Sequence, residues 1–88
     1  MQPSSNSTDF VNSSNVRLKL LVHLITGPKS PSQLATIEKK HVSHVSRALA
    51  ELRTRGLVEY AASGSRERYY KVTNEGYAVL IAITRVMK

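Results

Sequence analysis

Three side chains near the start of a predicted helix carry hydrogen-bonding groups: Ser43, His44 and Arg47. A hydroxyl, an imidazole and a planar guanidinium can each contact phosphate oxygens or the edges of bases. At about 3.6 residues per turn, Ser43 and Arg47 lie on one side of the helix. Because the residues on that side are small or cationic, it fits a groove of DNA.

The helix that positions these groups spans about residues 42–55 and has two distinct sides. Its apolar residues fall within about a third of a turn of one another. They are Val42, Val45, Leu49 and Leu52. The opposite side carries Ser43, Arg47, Ala50 and Thr54. One side is therefore predicted to be buried and the other exposed, with Gly56 ending the helix as its C-cap.

Two further helices are predicted before this one. The first runs through residues 14–25, with Ser14 as its N-cap. Apolar residues cover more than half of its circumference, which indicates two buried contacts. The second helix begins at Ser30 in capping-box form, with Pro31 at the first helical position and Gln33 at the third.

A β-hairpin and a last helix are predicted after it. Two strand-like runs, residues 57–61 and 68–72, flank a loop with Gly64 near its tip. Alternation in the second run turns Tyr70 and Val72 inward, so Tyr70 is predicted to be a core residue rather than one that stacks on bases.

The elements predict a mainly α fold with a small β-hairpin. Residues 1–13 are rich in Ser, Asn and Thr and are predicted to be disordered. Residues 14–73 are predicted to form the folded domain. Thr73 then caps a C-terminal helix within residues 74–88.

The charge balance of the 88 residues favours a polyanionic partner. Thirteen Lys and Arg against six Asp and Glu give a net charge of +7. Residues 39–71 hold eight of the basic residues and three of the acidic ones, so most of the excess surrounds the predicted helix and hairpin. Nucleic acid and an anionic membrane surface are the two partners that such a charge balance fits.

Several other classes are disfavoured. The sequence has no apolar run long enough to span a membrane and no secretory signal, so a cytoplasmic location is expected. Without a nucleophile elbow, a phosphate-binding glycine loop or paired carboxylates, we expect neither an enzyme nor a cofactor. Because cysteine is absent, no thiolate metal site can form and no effector sensor is evident.

The histidines allow one further interpretation. Glu38, His41 and His44 have a loosely metal-like spacing, but the predicted turn falls among them and no fourth ligand is near. No metal site is therefore expected. His23 is predicted to be packed and hydrogen-bonded in its helix.

Four groups of residues, in their order and spacing, carry a family resemblance. They are Ser32-Gln33-Leu34-Ala35, His44-Val45-Ser46-Arg47-Ala48-Leu49, Leu52 with Arg55-Gly56-Leu57-Val58, and Tyr70-Lys71-Val72-Thr73 with Glu75-Gly76. Residues 30–80 thus resemble the winged helix-turn-helix domain of prokaryotic, especially archaeal, transcription regulators related to MarR and ArsR. Lys39-Lys40 departs from the family, which usually has a glycine and an apolar residue there, and leaves open whether the preceding helix ends early or packs differently.

The resemblance implies a three-helix core, a recognition helix in the major groove of double-stranded DNA and a two-stranded wing beside it. In that arrangement the first turn of the recognition helix reaches base edges, which makes Ser43, His44 and Arg47 the expected base contacts. The expected contacts of the backbone and wing are Ser32, Gln33, Lys39, Lys40, His41, Arg66 and Arg68.

Structural alternatives stand beside these roles. Arg47 could pair with Glu51, four residues later. Arg66 and Arg68 could be solvated charges that protect the edge of a small sheet. Capping alone would explain Gln33. The whole domain could instead serve protein–protein assembly, or bind chromatin or RNA by charge alone.

A homodimer is predicted from the surplus apolar surface of the first and last helices. Pairing of the last helices across a two-fold axis would bury Val79, Ile83 and Val86. It would also place two recognition helices about 34 Å apart, one turn of DNA. The alternative is that the last helix folds back onto its own domain.

Overall fold

The order of the elements confirms the predicted fold class. The computed structural model describes residues 5–62, 64 and 66–86, and for residues 5–7 and 86 the backbone alone. A three-helix core is followed by a two-stranded wing and a C-terminal helix. The elements are α1 (Ser5–Asn12), α2 (Asn15–Ile25), α3 (Pro31–Glu38), α4 (Val42–Thr54), β1 (Val58–Ala61), β2 (Tyr69–Val72) and α5 (Asn74–Val86).

Helix α1 corrects the expectation that residues 1–13 are disordered; residues 1–4 lie outside the described part of the chain. Val11 is fully buried in the core, and Phe10 packs against that core from a partly buried position. The helix lies against α2 and α5. The polar composition argued for disorder, but both apolar side chains of α1 have packed partners, which hold the helix in place.

The starts of α2 and α3 confirm the predicted caps. The Ser14 hydroxyl accepts a hydrogen bond from the Arg17 N–H at 3.3 Å. At α3 the Ser30 hydroxyl accepts from the Gln33 N–H at 3.2 Å, and the Gln33 side-chain oxygen accepts from the Ser30 N–H at 2.9 Å. This reciprocal pair is a capping box, with Pro31 at the first helical position.

The core lies between α2, α3, α4, α5 and the inner side of the hairpin, and α1 adds Val11 to it. Tyr70 and Val72 are buried, which confirms the alternation predicted for the second strand. None of the described helices is long and apolar enough to cross a membrane. The largest fully buried side chains include Leu20, Leu21, Leu34, Leu49, Leu52 and Leu57.

The hairpin is tied to the connection between α2 and α3. Its strands pair antiparallel, with Val58 opposite Val72 and Tyr60 opposite Tyr70. On the other edge of β2, the Lys29 N–H donates to the Tyr70 carbonyl at 3.2 Å and the Tyr70 N–H donates to the Lys29 carbonyl at 2.9 Å. The wing is therefore anchored to the helical core by backbone hydrogen bonds.

Helix α4 ends one residue earlier than predicted, so Gly56 is not its C-cap. Its last residue is Thr54, Arg55 is the C-cap, and Gly56 follows with φ of 75°. The Leu57 N–H donates to the Leu52 carbonyl at 2.9 Å, a bond typical of a Schellman motif. Glycine suits this position because it adopts a positive φ without a Cβ clash.

Helix α3 ends in the same way but without glycine. Lys39 has φ of 55° and ψ of 48°, in the left-handed region. The Lys40 N–H donates to the Ala35 carbonyl at 3.0 Å, and the Lys39 N–H donates to the Thr36 carbonyl at 3.3 Å. The lysine pair thus closes the helix after Glu38, and Lys39 bears the steric cost of a left-handed L residue.

The start of α5 packs closely against the end of α4. The Thr73 hydroxyl accepts from the Gly76 N–H at 3.0 Å, which confirms the predicted cap, and donates to the Gly56 carbonyl at 2.6 Å. A Cβ at Gly76 would collide with the Leu57 carbonyl oxygen and lie 2.7 Å from Cγ1 of Val72. Only glycine fits this approach.

We expect Gly76→Ala to lower the free energy of unfolding by about 1–3 kcal/mol, since backbone and a buried valine must move to admit a methyl group. Urea unfolding followed by circular dichroism measures the change. The control is Gly64→Ala in the hairpin loop, where an added Cβ meets nothing within 4 Å. Equal losses in the two variants would contradict the close approach.

Lys39→Gly should have the opposite effect and raise the free energy of unfolding by about 1 kcal/mol, because glycine relieves the left-handed strain. Lys40→Gly is the matched control: it removes the same charge at the next position, where φ is not positive. A Lys39→Gly variant no more stable than Lys40→Gly would show that the strain is absent.

Candidate nucleic-acid interface

Helix α4 presents a buried side and an outward side, as predicted. Val45, Leu49 and Leu52 are fully buried. Val42 does not join them: its side chain is 48% exposed, because it is the first residue of α4 and the buried side begins about one turn later. The exposed residues of the outward side are Ser43, Arg47, Ala50 and Thr54.

A cleft of about 500 Å³ lies between α4 and the first turn of α2. It is lined by all three predicted base contacts, Ser43, His44 and Arg47, and by the predicted backbone contact His41. The fold thus brings these four side chains together. The other lining residues are Ser14, Val16, Arg17, Ala48 and Glu51.

The first turn of α4 has no side-chain cap. His41 is the N-cap residue, with φ of −66° and ψ of 141°, and its side chain makes no hydrogen bond to the helix. This distinguishes α4 from α2 and α3, whose first turns are capped by serine. The His44 N–H donates to the His41 carbonyl at 3.1 Å. The N–H groups before it and the positive end of the helix dipole are therefore available to an anion at the cleft.

Arg17 pairs with the carboxylate that was the alternative partner of Arg47. Its Nη2 lies 3.0 Å and its Nε 3.3 Å from Oε1 of Glu51. Within the described ranges, no carboxylate lies within 4.0 Å of the Arg47 guanidinium. The sequence did not reveal this pair, since 34 residues separate its members.

Arg17 is itself held by α1. Its Nη1 donates to the Phe10 carbonyl at 3.0 Å, and its guanidinium lies 3.8 Å from the centroid of the Phe10 ring. The guanidinium of Arg55 lies 4.3 Å from the same ring centroid. Both contacts are within the range of cation–π interactions.

The two predicted wing arginines have different surroundings. Nη1 of Arg68 donates to the Tyr60 hydroxyl at 2.7 Å, and the guanidinium of Arg53 lies 4.3 Å from the Tyr60 ring centroid. Arg66 is exposed and has no hydrogen bond or ion pair to any residue that the structure describes. Arg66 is therefore the wing cation available to a partner.

The arginines change the acidity of Tyr60. Desolvation raises its pKa, but the charges of Arg53 and Arg68 and the hydrogen bond from Arg68 outweigh it and lower the pKa overall. Burial raises the pKa of the neighbouring Tyr70, and Tyr60 adds to the effect. The prediction that Tyr70 is a core residue is confirmed by its burial.

Four of the predicted backbone contacts, on α3 and in the turn after it, lie outside the cleft. Ser32, Lys39 and Lys40 are exposed. Gln33 is also exposed, but its side-chain oxygen is used by the capping box with Ser30. None of these four residues lines the cleft.

The position of Glu38 bears on the predictions made for the histidines. His23 hydrogen-bonds to the Glu38 carboxylate, which confirms that it is packed and paired, and Nζ of Lys19 lies 4.0 Å from the same group. Glu38 is thus directed toward α2 rather than toward His41 and His44. The described part of the chain contains no cluster of three or more His, Asp or Glu side chains that could hold a metal ion.

The predicted dimer contacts on α5 need correction. Val79 and Ile83 are buried in the core of the single chain, so they cannot meet a second copy. The side chain of Val86 lies outside the described residues. Helix α5 is apolar on two sides: one packs on the domain, and the other exposes Tyr77 and Ile81.

Comparisons with known proteins identify the family. Residues 14–60, more than half of the chain, match the family model for bacterial regulatory proteins of the arsR family. The stretch begins at the cap of α2 and ends in β1, so it contains the whole of α3 and α4. No curated protein matched.

Solved structures agree. A possible transcriptional regulator for arsenical resistance is 29% identical, over 91% of this chain and 82% of its own, with a TM-score of 0.73. A possible transcriptional regulatory protein from Mycobacterium bovis is 28% identical, over 91% and 85%, with a TM-score of 0.73. A MarR-family regulator from Enterococcus faecalis, 24% identical over 93% and 77%, shares the fold with a TM-score of 0.79. The chain therefore belongs to the arsR family of bacterial regulatory proteins and is a DNA-binding transcriptional regulator with a winged-helix fold.

Proposed function

We propose that the regulator reads a specific DNA sequence with the first turn of α4 in the major groove. The observation that carries this proposal is the cleft, where Ser43, His44 and Arg47 lie together beside a helix start without a side-chain cap. Arg47, with no acidic partner in the described chain, is suited to a bidentate contact with guanine. Such a contact discriminates between bases by about 1–3 kcal/mol.

Phosphate contacts would hold the domain in register on the duplex. Arg66 is the leading candidate, since it is exposed on the wing, where its guanidinium would meet the DNA backbone or the minor groove. The local excess of basic residues favours nucleic-acid binding over protein–protein assembly. A protein that binds RNA or chromatin by charge alone would have the same excess. The other proposed phosphate contacts are Ser32, Gln33, Lys39, Lys40, His41 and Arg68.

A homodimer is proposed through α2 and α5. Ile25, Tyr77 and Ile81 border an apolar groove of about 440 Å³, and their side chains are 45%, 41% and 55% exposed. Val22, three residues before Ile25, extends the surface along α2. A two-fold axis through this surface would present two copies of α4 to one pseudo-palindromic site.

The cytoplasm is the proposed location of such a regulator.

The reading of bases is tested by measuring the affinity for two duplexes. One is selected from a random pool for binding, and the other has a random sequence. Arg47→Ala should narrow the affinity gap between the two duplexes about tenfold, whereas Arg66→Ala should weaken both alike. The slope of log affinity against log salt should be about −5 for each half of the dimer. Lys19→Ala, an exposed cation outside the cleft, is the control. Absence of duplex binding by the wild type at low salt would refute the proposal.

Sedimentation velocity tests the dimer. Wild type should sediment with about twice the 9.8 kDa mass of one chain, and Ile81→Glu should sediment as a monomer because a charge would be buried at the interface. Ile37→Glu, a similarly exposed isoleucine on α3, should leave the dimer intact. A monomeric wild type, or equal effects of both substitutions, would contradict this interface.

A further inference from the structure

Glu51 is an acidic residue placed where it could block the proposed contact of Arg47 with a base. It follows Arg47 by four positions on α4, and both side chains line the same cleft. On a helix surface, a cation and a carboxylate four positions apart attract each other. A guanidinium engaged with Glu51 would have to leave it before contacting DNA.

The described structure holds Glu51 on the other side, through Arg17. Two nitrogens of the Arg17 guanidinium contact the same carboxylate oxygen at 3.0 and 3.3 Å. The Arg17 side chain is only 20% exposed, and the Phe10 carbonyl and ring fix its orientation. Although the Glu51 side chain is 42% exposed, its partner is therefore held more firmly than an arginine of an exposed surface ion pair.

Glu51 has a second cationic neighbour on its own helix, Arg55, four positions after it. Glutamate followed by a cation at this spacing is the more favourable orientation of a helical pair. The guanidinium of Arg55 is instead placed over the Phe10 ring, at 4.3 Å from its centroid. Phe10 thus contacts both arginines and leaves Glu51 to Arg17.

We propose that Arg17 is a positioning residue for DNA reading: it holds Glu51 against α2 and thereby leaves the Arg47 guanidinium unpaired at the cleft. Phe10 supports Arg17 in this role, so that α1 contributes to recognition without touching DNA. The inference rests on the proposed function, in which Arg47 contacts a base.

The test measures the ratio of affinities for the selected and the random duplex, since a simple loss of charge weakens both and leaves their ratio unchanged. Arg17→Met should lower this ratio about 1.5- to 2-fold, the competition that one such helical pair can supply. Adding Glu51→Gln should restore it, because no acid is then left to pair with Arg47. Adding Arg47→Ala instead should lower the ratio no further than Arg47→Ala alone.

Two controls separate this role from stability. Lys19→Met removes a cation from the same helix, away from the cleft, and should leave the ratio unchanged. Thermal unfolding shows whether Arg17→Met folds. Should it not fold, Phe10→Leu removes the ring support of Arg17 but keeps an apolar side chain; it should lower the ratio, and Glu51→Gln should again restore it.

An unchanged ratio in folded Arg17→Met, as expected if Glu51 turned to Arg55, would overturn the inference. A lowered ratio that Glu51→Gln fails to restore would overturn it too, by showing that Arg17 only braces the helices. If Arg47→Ala by itself leaves the ratio unchanged, the proposed function fails rather than the role of Arg17.

Discussion

Burial of one side of α4 is the constraint on which the DNA interface depends. Val45, Leu49 and Leu52 are completely removed from solvent, and each contributes about 1.5–3 kcal/mol by its burial. Because rotation of the helix about its axis would expose all three, the opposite side is fixed outward. Ser43 and Arg47 therefore owe their position to packing on the far side of the helix rather than to contacts of their own.

The two ends of α4 connect that constraint to the rest of the domain. At its start the left-handed Lys39 sets the turn from α3, and at its end Gly56 turns the chain into the wing. The Gly56 carbonyl also accepts a hydrogen bond from the Thr73 hydroxyl, and the same hydroxyl caps α5. Helix, wing and C-terminal helix are thus joined within a few residues, so a shift of α4 would move the wing with it.

Local signals made much of this fold predictable. Capping residues such as Ser14, Ser30 and Thr73 act through hydrogen bonds to positions three residues away, which a sequence displays directly. The alternation of residues along a strand is also a local signal, and it correctly predicted that Tyr70 and Val72 are buried. Features that depend on distant partners were missed.

The missed features share one physical cause: their energies arise from tertiary contacts. Helix α1 has too polar a composition to predict, yet Val11 is buried by elements far along the chain. The pairing of Arg17 with Glu51 spans 34 residues. Periodicity correctly marked Val79 and Ile83 as apolar positions, but it could not say whether the surface covering them belongs to the same chain or to a second copy.

The central claim is that the first turn of α4 and the wing contact DNA. Mapping of amide chemical shifts tests it most directly. Titration of the ¹⁵N-labelled protein with its selected duplex should shift the amides of residues 41–47 and of the wing near Arg66, and leave those of α5 that line the apolar groove unchanged. The claim would be contradicted if the largest shifts fell on α5, or if the selected and random duplexes gave the same shifts in residues 41–47.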